Sequence, residues 1–168
     1  MQQRCNLTVQ YQTDLLLWYI ERENNSIYSS CAVLAEGQLI HNYRRISENW
    51  KEYNRTDNHY CEGTTTEEFL YHGRKIMIAL CGDLWLYPQR FKTEDLLIWP
   101  IYVNFDREEW KTCEQEYAEQ ALKACKKTVM INSITEDPVS HGNSFYFLNG
   151  EIKDKLDYDT EDILVVEV

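Results

Sequence analysis

Cys81 stands at the end of the apolar run Lys75-Ile-Met-Ile-Ala-Leu80 and is followed at once by Gly82, Asp83, Leu84 and Trp85. A thiolate attacks an acyl carbon well when its proton is removed or its pKa is lowered. A cysteine placed where a strand gives way to a turn presents its sulfur to substrate. The amides that follow, at Gly82 and Asp83, can then face a developing oxyanion. The plainer alternative is a buried core cysteine, since a free thiol behaves as a small hydrophobe. Gly-Asp-Leu-Trp is not a continuation of the strand, and that favours chemistry.

Three further residues could serve such a nucleophile. Asp83 can bond to backbone amides and hold the turn, or it forms a simple Asx turn. Arg45, within Tyr43-Arg44-Arg45-Ile46, can bring positive charge to an oxyanion; alternatively Arg44 and Arg45 are solvated charges after an edge strand. Glu52 can act as a base or an orienting carboxylate, or it is a surface residue of a polar loop. Arginine cannot shuttle protons in water because its pKa is too high. A Cys–His pair using His59 or His141 remains open, with no spacing that argues for it.

The elements that must position these residues are short. Leu15–Ile20 reads as a strand ending in the turn 23–26. Strands at 30–34 and 38–43 flank Ala35-Glu36-Gly37 as a hairpin. Residues 47–66 read as a long functional loop. Phe69–Tyr71 and Lys75–Leu80 form a second hairpin around His72-Gly73-Arg74. The second of these strands is apolar throughout, which places it centrally. Asp95–Trp99 is another buried strand, with Pro100 limiting the ladder at its end. Asp106 to Lys127 is the clearest helix. Asp106 caps it, Glu109 completes a capping box, and Lys126 and Lys127 meet the negative end of its dipole. Strands follow at 128–132, at 144–148 and 151–152 around the Asn149-Gly150 turn, and at 162–166. Eight or nine strands with few helices, and a strand–helix–strand crossover at 95–132, imply an α/β fold with a mixed sheet.

Composition narrows the partners. The 168 residues suffice for one domain with its own core, and 43% of them are hydrophobic. The net charge of −11, from 28 acidic and 17 basic residues, argues against nucleic acid and against an anionic membrane. The N-terminus shows no apolar signal segment, so the cytoplasm is the expected location. Six cysteines could form three disulfides in a secreted chain, but free thiols fit better here. His59-Tyr60-Cys61 lacks the second ligand pair of a zinc site, so no metal and no other cofactor is expected.

These segments resemble the nitrilase superfamily of carbon–nitrogen hydrolases, from about Leu15 to the end. Tyr43-Arg44-Arg45-Ile46 is similar to the family segment carrying a catalytic lysine. Leu80-Cys81-Gly82-Asp83-Leu84-Trp85 is similar to the nucleophile segment. His141-Gly142-Asn143-Ser144 and Asn149-Gly150 resemble a family strand and its turn. The resemblance implies a four-layer α-β-β-α sandwich and a Glu-Lys-Cys triad acting on amides, nitriles or carbamoyl compounds. It also implies departures. Arg45 replaces the lysine, Gln89 replaces a carboxylate, and Lys123 replaces a helix glutamate. Glu52 falls near a supporting glutamate. The Pro-Glu segment that supplies the general base is missing, so the expectation is an N-terminally incomplete single domain over residues 1–168. Weak or absent activity and self-association follow from that expectation. The partners would be a small amide or carbamoyl substrate and further copies of the chain. An inactive binding or structural subunit, or a small-ligand binding module of unrelated α/β fold, are the competing readings.

Overall fold

The structure, a computed structural model, describes residues 1–48, 50 and 59–168. The chain forms two compact units, Met1–Thr66 and Glu67–Val168.

The first unit has a helix, α1 (Gln2–Tyr11), and three strands, β1 (Leu15–Glu23), β2 (Ser26–Ala35) and β3 (Gln38–Arg44). They form one antiparallel sheet in the order β1-β2-β3. Both connections are two-residue loops, because Glu23 pairs with Ser26 and Ala35 with Gln38. Glu36 and Gly37 have φ of 48° and 79°, so both loop residues are left-handed, as a tight hairpin matching strand twist requires. Cys5 of α1 packs with Ala32 and Leu34 of β2, joined by Leu15 and Tyr19. Helix α1 has no counterpart in the sequence reading. Only Cys5 and Thr8 of its ten residues are buried, so it shows no apolar stripe.

The second unit contains β4 (Phe69–Tyr71), β5 (Arg74–Ile78), α2 (Asp83–Leu86), a 3-10 turn at Pro88–Phe91 and β6 (Leu96–Ile101). It continues with α3 (Arg107–Leu122), β7 (Lys127–Asn132), β8 (Ile134–Glu136), β9 (Val139–His141), β10 (Ser144–Leu148) and β11 (Glu151–Leu156). Six strands make a mixed sheet in the order β11-β10-β7-β6-β5-β4. Strands β5, β6 and β7 run parallel in its middle, and hairpins close both sides. Strands β8 and β9 form a separate two-stranded ribbon. The core holds Trp99, Trp110, Phe145 and Phe147, each nearly or completely buried.

Three expectations are corrected. Helix α3 is capped as read, with Asp106 accepting from Glu108 and Glu109 and the Glu109 carboxylate returning to the Asp106 amide. It nevertheless stops at Leu122, and Lys127 opens β7 rather than closing the helix. The turn between them is held by Thr93 donating to Ala124 O and Asn149 to Lys126 O. Pro100 lies inside β6, paired with Ile131, rather than ending the strand. Residues 162–166 are not a strand; Ile163 and Val165 are each 80% exposed and no ladder receives them.

Candidate active site

The parallel ladder runs on beyond β5 and delivers Cys81 to a corner. Ala79 N–H donates to Ile98 O at 3.1 Å and Cys81 N–H to Pro100 O at 2.9 Å. The backbone then turns left-handed, with Cys81 at φ 47°. A side chain there costs about 1–2 kcal/mol relative to ordinary backbone, so the surroundings must hold it. They do so from both sides. The Trp99 indole N–H donates to Cys81 O at 2.9 Å. Asp83, fully buried, accepts from Leu80 N–H at 2.8 Å and donates its own N–H to Leu80 O at 3.0 Å.

Helix α2 leaves directly from this corner, with Gly82 as its N-cap. Gly82 O accepts from Trp85 and Leu86 at 3.1 and 3.0 Å. Among the described residues the Gly82 N–H has no hydrogen-bond partner, so it is a donor available to an oxyanion. Gln120 of α3 donates to Leu84 O and ties α2 to the long helix. The Cys81 thiol is half-buried, and its sulfur lies 3.9 Å from Tyr102 O, a weak contact.

An aromatic cluster stands behind the corner. Trp99 and Tyr117 stack at 5.5 Å, and Trp85 meets Tyr117 edge-on at 5.0 Å. Burial raises the Tyr117 phenol well above its ordinary pKa, and the neighbouring Cys113, Cys81 and Glu116 add to the effect. Tyr117 is therefore a neutral phenol at any working pH, and it is no base. Sequence reasoning missed Trp99 and Tyr117. Both read only as apolar positions of a strand and a helix, and no spacing ties either to Cys81.

Arg45 lies in the first unit, immediately after β3. It is 7% exposed. Its backbone is fixed at both ends, by Arg45 N–H to Ser29 O at 2.9 Å and Gly63 N–H to Arg45 O at 2.7 Å. Gly63 must be glycine, since a Cβ there would lie 2.5 Å from Arg44 O. The guanidinium donates to Ser47 Oγ at 2.7 Å and to Glu48 O at 3.3 Å. Neither arginine of the pair is a free surface charge. Arg44 makes a double hydrogen bond with Glu21, at 2.6 and 2.9 Å, pairs with Glu23 at 3.0 Å and lies 4.0 Å over the Tyr28 ring. Glu52 lies outside the described residues.

One of the two candidate histidines, His141, is engaged elsewhere. His141 Nδ1 is 2.8 Å from Asp159 Oδ1. All six cysteines are free thiols. Among the described residues no three His, Cys, Asp or Glu side chains are grouped to hold a metal, and no helix is long and apolar enough to cross a membrane.

No protein-family model matches this chain, and no curated protein matches it. Solved structures do. A carbon–nitrogen hydrolase from Helicobacter pylori G27 superposes with a TM-score of 0.76 at 20% identity, over 95% of this chain and 62% of its own. An amidase from Nesterenkonia sp. AN1 superposes with a TM-score of 0.75 at 14% identity, over 92% and 61%. The glutamine-dependent NAD+ synthetase of Acinetobacter baumannii gives 0.70 at 19%, over 95% and 34%. This chain has the carbon–nitrogen hydrolase fold. That is an α/β sandwich architecture, and the chain spans about three fifths of the length of the hydrolase and the amidase. In the amidase structure the active-site cysteine carries the acetamide moiety of fluoroacetamide.

Proposed function

We propose that this chain is a carbon–nitrogen hydrolase-like protein with Cys81 in the nucleophile position, and that alone it hydrolyses amides poorly or not at all. One observation supports it above the rest: a half-buried thiol on a left-handed corner, held by Trp99 and Asp83, with a free amide next to it. A core cysteine needs none of that construction. In this reading the Cys81 sulfur bonds to the substrate carbonyl carbon, the C–N bond breaks, and the thiol proton leaves with the amine. Water then cleaves the thioester, releasing the acid and returning the thiol. The Gly82 amide would hold the oxyanion, and the sequence resemblance assigns Arg45 to the same charge.

The weak point is the base. Arginine cannot accept the thiol proton, and Glu52 is the carboxylate assigned to that step. A second reading follows from the same fact: an inactive relative that binds or supports rather than cleaves. The Arg45 in place of lysine favours it, because arginine stabilises an anion but does not pass on a proton. Both readings share a four-layer α-β-β-α sandwich and a single domain across residues 1–168. Both also expect self-association and a cytoplasmic location.

Intact-mass spectrometry with a panel of amides, nitriles and carbamoyl compounds separates them. An acyl adduct that turns over, and is lost in Cys81→Ser, establishes the hydrolase. A full panel with no adduct leaves the binding or structural reading.

A further inference from the structure

The Leu80–Asp83 turn leaves one backbone amide open, and one side chain fixes where that amide points. The N–H groups of Leu80, Cys81 and Asp83 are taken by Asp83 Oδ2, Pro100 O and Leu80 O. Among the described residues the Gly82 N–H has no such partner. The carbonyls of Leu80, Gly82 and Asp83 accept from backbone N–H groups further along the chain. Cys81 O accepts instead from a side chain, the Trp99 indole.

A turn of this kind has two forms. The Asp83 N–H closes it on Leu80 O at 3.0 Å, with Cys81 at φ 47° and Gly82 at φ −66° and ψ −9°. That is type II′, whose second residue is normally glycine, asparagine or aspartate. Rotating the central Cys81–Gly82 peptide by about half a turn gives type I′, with the same ends and positive φ at both central residues. Glycine at position 82 takes that φ without steric cost. A side chain at position 81 sits more easily in the left-handed α region that type I′ offers it. Local preference therefore favours the flipped peptide, and the observed one must be held in place.

Trp99 supplies the hold. In a trans peptide the carbonyl and the N–H point in opposite directions, and the Cys81–Gly82 peptide is trans. The indole draws Cys81 O towards β6 and thereby turns the Gly82 N–H the other way. Flipping the peptide would break this 2.9 Å bond and leave the donor of a completely buried ring unpaired, a costly state. The ring cannot follow the carbonyl, because Tyr117 stacks on it at 5.5 Å and the Trp99 backbone pairs with Met130. We propose that Trp99 is a positioning residue for the oxyanion donor: its indole N–H locks the Cys81–Gly82 peptide so that the Gly82 N–H faces a tetrahedral adduct on Cys81. The inference rests on the reading of Cys81 as nucleophile. Trp99 acts through the peptide and touches no substrate.

The test uses an aldehyde, whose adduct needs neither a leaving group nor water. The Cys81 sulfur bonds to the carbonyl carbon, the C–O π bond opens, and the thiol proton passes to the oxygen, giving a hemithioacetal. The full chain is titrated with isotope-labelled acetaldehyde and followed by NMR, with the Cys81 adduct identified by its loss in Cys81→Ala. Trp99→Phe keeps a ring against Tyr117 and removes the N–H. Deleting an oxyanion donor outright costs a factor of about 10²–10³ in rate; releasing one to a second orientation costs less, so adduct affinity should fall about tenfold. The Gly82 amide signal should move when the parent forms its adduct, and less than half as far in the variant. Alkylation of Cys81 by iodoacetamide follows thiolate content and access and builds no oxyanion, so its rate should stay within about twofold. A parent with no Cys81 adduct overturns the nucleophile reading and this inference with it. A parent adduct whose affinity or Gly82 shift is undiminished in Trp99→Phe overturns the role of Trp99 and leaves the nucleophile reading standing. A parallel loss of adduct and alkylation would make Trp99 a packing residue and overturn its role too. If Trp99→Phe fails to fold, 3-benzothienylalanine at position 99 alone keeps both rings and puts sulfur where the N–H stood, and the same comparisons decide.

Discussion

Asp83 and Leu80 hold each other across the Cys81 corner. The carboxylate accepts from the Leu80 amide at 2.8 Å, and the Asp83 amide returns a bond to the Leu80 carbonyl at 3.0 Å. Two residues three apart thereby close a loop whose apex is Cys81–Gly82. The turn role assigned to Asp83 from sequence is chemically simple, but its complete burial makes it more consequential. Asp83→Ala leaves the Leu80 N–H buried without that partner and should cost about 1–3 kcal/mol of stability. Asp83→Asn keeps an oxygen in place and should cost less. Urea unfolding of the two variants checks the order, and an alanine variant within about 0.5 kcal/mol of the parent would contradict this account of the corner.

Acid should loosen the first unit through Glu21. Its carboxylate takes bonds from Arg44, Ser30 and Asn42. The Arg44 guanidinium chiefly, then Ser30 and Asn42, hold its pKa down from 4.5 to about 2 against the opposing effect of burial. The folded value lies below the ordinary one, so this stabilisation is complete above about pH 4.5 and is lost as the pH falls towards 2. Glu21→Gln removes the titrating group. Its stability should be lower near neutrality and change less than the parent's across that acid window. Thermal unfolding midpoints from pH 6 to 2, measured side by side, decide this; parallel curves would refute it.

Self-association is expected from the sheet edges. Strands β4 and β11 end the six-stranded sheet, and Leu70 on β4 is 73% exposed. Exposed edges of this kind pair with other chains unless something covers them. Sedimentation across a wide concentration range should show a dimer or larger species, and Leu70→Lys should shift the balance towards monomer. A well-folded monomer at high concentration would reject the expectation.

The legible parts of this chain were those where one local signal decides. Two-residue turns at Glu36-Gly37 and Asn149-Gly150 need left-handed backbone, and glycine announces it. Asp106 and Glu109 mark the start of α3 because a capping box is a contact between near neighbours. The end of α3 was not legible, because Lys126 and Lys127 suit a helix terminus as well as the turn and strand they occupy. Residues 163–166 are a short apolar run of β-branched and aliphatic residues, as in a strand, but a strand exists only where a neighbour offers a ladder. At the candidate site, Cys81 could be singled out by its position after an apolar run. Its left-handed backbone and the Trp99 indole on its carbonyl could not, since both depend on residues some twenty positions apart meeting in space.

The backbone at Cys81 makes the last prediction. At φ 47° a side chain is strained and glycine is not. Replacing cysteine by alanine keeps the strain and removes the sulfur. Replacing it by glycine removes both. In ordinary backbone glycine is the poorer choice, because it gives the unfolded chain more freedom. Here the order should reverse, with Cys81→Gly more stable than Cys81→Ala by about 1 kcal/mol. Such a reversal would mean that the fold tolerates a strained cysteine where a relaxed residue would stand more easily, as expected of a residue kept for its sulfur rather than for packing. Chemical denaturation of the pair, with Cys81→Ser as the near-isosteric control, measures it. If alanine proves the more stable, the corner is not strained in solution, and the support it lends to a nucleophilic Cys81 is withdrawn.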